Sequence, residues 1–174
     1  IKRVISHDLP HNGFDTKQCI LEPSFYSEKY GFQGRLDLLQ PANDESDLFR
    51  IIELKSGKPP APYNNTSLIG RNHEVQTTVY RLMRQSVCGV DARHIYPAIL
   101  YSSVESEGQN VRLAAPYKQL EKEILNTRNL IVATEHKLYT GSTDAVKQIF
   151  DKLFYTKNYG QVPDFFINKL NEIK

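Results

Sequence analysis

Residues 32–55 read FQGRLDLLQPANDESDLFRIIELK and contain two runs of strand-forming residues on either side of a polar loop. The first run covers 32–40. The second, 48–55, is rich in Ile, Leu and Phe, which favour β-strands. The intervening residues 41–47 hold Pro, Asn, Asp, Glu and Ser, a composition typical of a turn. We therefore predict two strands joined by a hairpin-like connection.

Strand and helix patterns continue on both sides of this pair. An irregular strand is predicted at 19–27, and a helix over about 73–88 with Asn72 as its N-cap. Residues 1–18 show no clear periodicity. The remaining predicted elements are a strand at 94–103, a short strand at 110–115 and helices from about 117, over 143–155 and from Pro163. This order predicts an α/β fold with a central mixed β-sheet flanked by α-helices.

Alternation along the two strands indicates which side chains share a face. Glu53 and Lys55 point the same way, and Asp37 can converge on Glu53 if the strands pair. Two neighbouring carboxylates repel each other unless a cation lies between them. Mg²⁺ or Mn²⁺ fits, because these ions prefer oxygen ligands, and the main-chain carbonyl of Leu54 is placed to add one.

The other polar groups of this region suit the hydrolysis of a phosphodiester. Lys55 can orient a water or stabilise charge that develops on a phosphate. On the predicted helix, His73, Gln76 and Tyr80 lie at i, i+3 and i+7 and share one stripe. A glutamine can bind a metal-bound water or a DNA phosphate, and a tyrosine can stack on a base or donate to a phosphate. A Glu-x-Lys triplet alone is more often a solvated surface pair, so the order and spacing of all the pieces carry the prediction.

The formal net charge of +2 excludes a histone-like polycation and an acidic tail protein. The charge is uneven, however. Between residues 55 and 84, five basic residues stand against the single acid Glu74, and a basic stretch of this kind can hold a phosphate backbone. The alternative is a solvated helix face. The five are Lys55, Lys58, Arg71, Arg81 and Arg84.

The two cysteines, Cys19 and Cys88, lie in apolar stretches and are predicted to be buried free thiols. We therefore expect an intracellular protein, cytoplasmic if it is prokaryotic. No apolar run approaches the roughly 18–20 residues of a membrane span, and no signal peptide is visible. The chain begins at Ile1 and ends within a predicted helix, so we expect a fragment of a larger protein.

Three short segments together resemble the motifs of the PD-(D/E)XK nuclease superfamily, in its RecB-like branch. They are Gly34-Arg35-Leu36-Asp37, Glu53-Leu54-Lys55 and Gln76-Thr77-Thr78-Val79-Tyr80. The longer phrases at 26–37 and 52–58 are similar to the nuclease domains of flap-trimming replication helicase–nucleases. They are also similar to the CRISPR-associated RecB-like exonucleases. The resemblance covers roughly residues 20–102.

The resemblance implies a restriction-endonuclease-like core, with 1–174 as a single nuclease domain. It also implies a Mg²⁺- or Mn²⁺-dependent deoxyribonuclease of DNA replication or repair, an exonuclease or flap endonuclease acting on single-stranded ends or flaps. The parent chain could carry a helicase domain, and no membrane partner is expected. Asp37 and Glu53 would hold the metal, Lys55 would be the catalytic cation, and Gln76 and Tyr80 would support the site. The expected DNA contacts are Arg35, Lys58, Arg71 and His73.

The sequence departs from the family pattern in two respects. Many relatives carry an iron–sulfur cluster on four cysteines, and two cysteines cannot build one from this fragment alone. Relatives also often place a further metal ligand upstream of the first strand. His7, His11 and Glu22 are candidates, and a ligand before Ile1 is the alternative.

Two other functions stay open at this point. One is a non-catalytic, nuclease-like DNA-binding module attached to a helicase, and the other is a nuclease that acts on RNA. The complete set of catalytic residue types argues against the first. Parallel DNA and RNA substrates would decide the second.

Overall fold

The computed structural model describes residues 2–43, 47–62, 65, 67–104, 109–115 and 117–154, with side chains up to residue 152. The chain forms two compact units, Ile1–Leu125 and Asn126–Lys174. The first unit contains every strand of the described residues and all the predicted site residues.

Seven strands are present in the described part of the chain. They are β1 (Ile20–Leu21), β2 (Ser24–Ser27), β3 (Phe32–Arg35), β4 (Leu38–Gln40), β5 (Phe49–Lys55), β6 (Ile95–Tyr101) and β7 (Val111–Leu113). A five-stranded sheet has the order β1-β4-β5-β6-β7, and β2 pairs with β3 in a separate ribbon. The β5–β6 pair is parallel and the other pairs are antiparallel, which confirms the predicted mixed sheet.

The single strand predicted at 32–40 is wrong, because this segment forms β3 and β4 in two different sheets. Leu36 packs on one face of the central sheet and Leu38 on the other, although a continuous strand would point both the same way. The chain therefore changes course at Asp37. The predicted pairing with the next strand is confirmed, with Leu38 opposite Ile52. Residues 44–46 of the connecting loop lie outside the described residues.

The helices explain how both faces of the sheet are covered. Residues 1–18 show no clear periodicity in the sequence and no element is predicted there. The structure has a π-helical turn at Val4–Asp8 that continues into α1 (Leu9–His11). The crossover from β5 to β6 contains α2 (Arg71–Cys88), whose N-cap is Gly70 and not Asn72. After β7 the chain forms α3 (Lys118–Thr140) and α4 (Thr143–Phe154). The helix predicted from Pro163 lies outside the described residues.

In the described residues the core consists of two large apolar clusters, one on each face of the sheet, and a smaller cluster of Ile99, Tyr101 and Ala114. The cluster under α2 joins Leu36, Leu39, Ile51, Tyr80, Met83 and Ile95. The opposite cluster packs the N-terminal helical segment on the sheet and joins Val4, Leu9, Phe14, Leu38, Ile52, Ala98, Leu100 and Val111. The sheet face under α2 therefore also carries Glu53 and Lys55, as the alternation along β5 predicts.

Both cysteines are free thiols, but the expected burial is wrong for Cys88, which is exposed at the end of α2. Cys19 is half-buried, and burial raises the pKa of its thiol. Among the helices of the described residues, none combines the length and the apolar character that crossing a bilayer requires.

Candidate active site

The break between β3 and β4 places Asp37 at the end of β5. The β4–β5 register sets Leu38 opposite Ile52, so one further step sets Asp37 opposite Glu53. Oδ2 of Asp37 accepts a hydrogen bond from the main-chain amide of Leu54 at 2.7 Å. The structure therefore brings the two predicted carboxylates together and fixes one of them against the β5 backbone.

Glu53 and Lys55 are the last inward-facing residues of β5, and they form an ion pair. Glu53 is buried, with 4% of its surface exposed. Nζ of Lys55 lies 2.7 Å from Oε1 of Glu53. The other carboxylate oxygen, Oε2, is buried and has no hydrogen-bond partner among the described residues.

Gln76 joins the helix to this ion pair. Its Nε2 donates to Oε1 of Glu53 at 2.6 Å, and its Oε1 accepts from Nζ of Lys55 at 2.9 Å. A side-chain amide can donate to a carboxylate through its NH₂ group while its oxygen accepts from an ammonium. Gln76 therefore holds both charged groups in a fixed relationship from α2.

Tyr80 lies one turn further along α2 and is part of the core. Its hydroxyl donates to the main-chain carbonyl of Arg35 at 2.7 Å and accepts from Nε2 of Gln76 at 3.3 Å. Burial raises the pKa of the Tyr80 hydroxyl. The ring is buried against Gly34 and Met83, so it is not available to stack on a base, one of the roles considered for it. Tyr80 instead links Gln76 to the strand that leads to Asp37.

The electrostatics of this cluster disfavour its second negative charge. Burial raises the pKa of Glu53, and the neighbouring charge of Asp37 acts in the same direction. The hydrogen bonds from Lys55 and Gln76 lower it without cancelling the rise. A cation placed between the two carboxylates would relieve this cost.

The donor set fits a hard divalent cation. The protein uses Oδ2 of Asp37 and Oε1 of Glu53, which leaves Oδ1 and Oε2 without hydrogen bonds from the described residues. Mg²⁺ is commonly held by one or two carboxylates and keeps several waters. A larger cluster of three or more His, Cys, Asp or Glu suited to a metal is absent from the described residues. The carbonyl of Leu54 stays a predicted third ligand.

Two of the four predicted DNA contacts lie on the strand side of the site. Arg35 is exposed, and its guanidinium pairs with the exposed carboxylate of Glu22 at 3.1 Å. Lys58 is exposed in the loop that follows β5. Arg35 ends β3, and Lys58 follows β5 by three residues. Their contacts with DNA stay predictions.

The other two predicted DNA contacts lie at the start of α2. Arg71 binds the carboxylates of Glu74 at 3.1 Å and of Glu123 at 2.7 Å. His73 is half-buried, and its Nδ1 lies 2.9 Å from the hydroxyl of Tyr101. Arg71 is thus neutralised by acids in this structure, whereas His73 is held by an uncharged group.

The predicted basic stretch is not a continuous surface. The side chain of Arg81 is only 2% exposed and forms an ion pair with Glu121. Arg84 lies over the ring of Phe49, with its guanidinium carbon 4.4 Å from the ring centroid. Arg81 is therefore neither a phosphate contact nor part of a solvated helix face, and both interpretations were wrong for it.

The three upstream candidates for a further metal ligand occupy different places. Glu22 is adjacent to Asp37, since its main-chain amide donates to the carbonyl of Asp37 at 3.0 Å. His7 and His11 lie on the N-terminal helical segment with their rings stacked at 6.1 Å. The choice between them stays open.

Sequence reasoning missed Tyr101 as a member of this region. Tyr101 ends β6 directly beside Lys55, its partner in the parallel register, and is fully buried. The strand was predicted, but only as a buried one. The available signal was alternation, because Ile99 and Tyr101 face the same side as Glu53 and Lys55.

The chain is similar in sequence to a known protein family. A family model described as the PD-(D/E)XK nuclease superfamily matches residues 5–157. No curated protein matches the chain. The match includes β1 to β7, α2 and all the site residues described above.

Proposed function

The chain belongs to the PD-(D/E)XK nuclease superfamily, and from this premise we propose a metal-dependent deoxyribonuclease that cleaves single-stranded ends or flaps. The observation that carries the proposal is the pair of carboxylates, Asp37 and Glu53, each with one oxygen held by the protein and one left over. Most buried polar groups in proteins are hydrogen-bonded, so the unpartnered Oε2 of Glu53 favours a ligand from outside the chain.

In the proposed site, Asp37 and Glu53 hold Mg²⁺ or Mn²⁺, with the carbonyl of Leu54 as a further ligand. The bound ion supplies Lewis-acid activation of a water and of the phosphodiester. The side chains of the site would then position the ion, the water and the phosphodiester, and stabilise the charge that develops during cleavage.

Lys55 is proposed as the catalytic cation. An ammonium has three N–H donors, and two of them are used by Glu53 and Gln76. The third is left for the attacking water or for a phosphate oxygen, where it stabilises the negative charge that builds during cleavage. The hydrogen bond from Lys55 to Gln76 orients that donor, and the hydroxyl of Tyr80 accepts a hydrogen bond that orients the Gln76 amide.

The finer description of the substrate rests on the sequence. The resemblance of residues 26–37 and 52–58 to flap nucleases supports a single strand or flap as the substrate, the RecB-like branch as the subfamily, and a role in DNA replication or repair. It also supports residues 1–174 as one nuclease domain attached to a helicase. Phosphate contacts are proposed for Arg35, Lys58, Arg71 and His73, whose side chains are charged or polar.

The experiment compares end-labelled single-stranded, flap and duplex DNA, and a single-stranded RNA of the same sequence, in Mn²⁺, Mg²⁺ and EDTA. We expect cleavage of single-stranded and flap DNA that requires the metal, and product lengths will distinguish exonuclease from endonuclease action. Binding without cleavage in either metal would contradict the proposal and favour a DNA-binding module. Cleavage of RNA alone would contradict the DNA assignment.

A further inference from the structure

His73 and Tyr101 form a hydrogen-bonded pair at the edge of the active site. Nδ1 of His73 lies 2.9 Å from the hydroxyl oxygen of Tyr101, and the two ring centroids are 5.6 Å apart. The same hydroxyl oxygen accepts the main-chain amide of Gly70 at 3.3 Å. His73 precedes Gln76 by three residues, so both side chains project from one side of α2.

The position of the hydroxyl hydrogen determines the tautomer of His73. Tyr101 is fully buried, so its hydroxyl has no access to solvent and needs an acceptor within the protein. The amide of Gly70 is a donor and cannot serve. Among the described residues, the remaining partner of this hydroxyl is Nδ1 of His73. Nδ1 is therefore the acceptor, and the ring proton of the neutral imidazole is on Nε2.

The second ring nitrogen of His73, Nε2, carries a proton that it can donate to a ligand. No described residue forms a hydrogen bond with Nε2 of His73. Burial and the charge of Lys55, in that order, lower the pKa of the imidazole and so favour its neutral form. A neutral N–H beside the Lys55 ammonium can bind an anion without adding a second repelling charge.

Several contacts position this pair of rings. The guanidinium of Arg112 covers the ring of Tyr101 at 5.4 Å. At Gly70, an added Cβ would lie 3.1 Å from Nδ1 of His73, so glycine permits the close approach of the imidazole. Tyr101 is also the register partner of Lys55 in the parallel β5–β6 pair. The main-chain pairing of β5 and β6 therefore sets the position of Tyr101, and through its hydroxyl that of the His73 ring, relative to Lys55.

We propose that His73 donates from Nε2 to a phosphate oxygen of the DNA beside Lys55, and that Tyr101 is the positioning residue that fixes the donating tautomer. This inference rests on the proposed nuclease function for its substrate. The tautomer itself is a property of the protein without metal or DNA, so it can be tested separately.

The first measurement is the ring ¹⁵N spectrum of His73 in the metal-free protein, with the His73→Gln variant to identify its signals. We expect a single tautomer with the proton on Nε2. Tyr101→Phe preserves the packing but removes the hydroxyl, and we expect its spectrum to show both tautomers. A proton on Nδ1 in the wild type, or an unchanged spectrum in Tyr101→Phe, would overturn the inference.

The second measurement is steady-state cleavage of single-stranded DNA. His73→Ala should raise KM about tenfold, the effect of one lost hydrogen bond to a charged group, with a smaller change in kcat. His73→Gln, which keeps an N–H near the position of Nε2, should recover most of the loss. Tyr101→Phe should also raise KM. Wild-type KM in His73→Ala would contradict the phosphate contact.

Two further arms keep the outcomes distinct. If the wild type does not cleave DNA, the proposed function fails, and binding of a fluorescent single-stranded oligonucleotide in EDTA then compares the same variants. Equal affinities there would overturn the contact. If Tyr101→Phe does not fold, Gly70→Ala displaces the imidazole instead, and an unchanged KM in that variant would count against positioning of the ring.

Discussion

Nζ of Lys55 lies 2.7 Å from Oε1 of Glu53, while Oε2 of the same carboxylate is buried and has no partner among the described residues. The two oxygens of Glu53 therefore have different environments. One is neutralised by the protein, and the other is desolvated at a cost that the protein does not offset. This asymmetry is expected where a carboxylate has to bind a cation from outside the chain.

Gln76→Ala should lower kcat by about 10- to 100-fold, because misplacement of a catalytic group by about 1 Å can cost that much. The variant removes the contacts that hold Lys55 and Glu53 at 2.9 and 2.6 Å from the amide. Single-turnover cleavage of labelled DNA measures the effect. Gln148→Ala, an exposed change on α4, is the matched control and should keep wild-type kcat. Unchanged cleavage by Gln76→Ala would show that the bridge does not position Lys55.

The raised pKa of Glu53 should appear in the stability of the protein in EDTA. The pKa in the folded state lies above the ordinary value of 4.5. Between these two values the folded state binds more protons than the unfolded state, so the free energy of unfolding falls as the pH rises through this range. Glu53→Gln lacks this contribution and should show a shallower fall.

Urea denaturation across this pH range measures the Glu53 contribution. The control is Glu135→Gln, an exposed substitution on α3, which should reproduce the wild-type dependence. An identical pH dependence in wild type and Glu53→Gln would mean that burial does not raise the pKa of Glu53.

Gly34→Ala should destabilise the protein by about 1–3 kcal/mol, the usual cost of overpacking a core. An added Cβ would lie 3.0 Å from Cε1 of Tyr80 and 3.3 Å from Cε of Met83. Thermal unfolding measures the loss. Gly57→Ala, where an added Cβ meets nothing within 4 Å, is the control and should unfold near the wild-type temperature. Equal stability of the two variants would show that the ribbon can move away from Tyr80.

Arg81→Ala should destabilise the fold by about 1–3 kcal/mol, less than for a fully buried pair because Glu121 is partly exposed. It should leave the salt dependence of DNA binding unchanged, whereas loss of a phosphate contact would reduce the slope by about one. Arg93→Ala removes an exposed pair with Asp91 and should change neither property. A reduced salt slope in Arg81→Ala would restore Arg81 as a DNA contact.

The sequence predicted the parts of the site that depend on local periodicity. Alternation along β5 placed Glu53 and Lys55 on one face, and helical spacing placed Gln76 and Tyr80 on one stripe. Both arrangements are confirmed by contacts between these side chains. The mixed sheet and flanking helices were predicted in the same way.

The parts that were missed depend on tertiary packing. The break at Asp37 arises because Leu36 and Leu38 enter different clusters, which a short apolar run does not reveal. Arg81 looks like a surface residue until α3 places Glu121 against it. Tyr101 gains its role only through contacts with Gly70 and His73, which are about thirty residues away in the chain.

The most direct test of the proposed activity is Mn²⁺-dependent cleavage of an end-labelled single-stranded oligonucleotide by the wild type, Glu53→Ala and Lys55→Ala. Circular dichroism should first show that both variants are folded, and Glu135→Ala is the control that should cleave like the wild type. We expect cleavage by the wild type that EDTA abolishes, and none by either site variant. Full activity in Glu53→Ala or Lys55→Ala would contradict the assignment of this site as the catalytic centre.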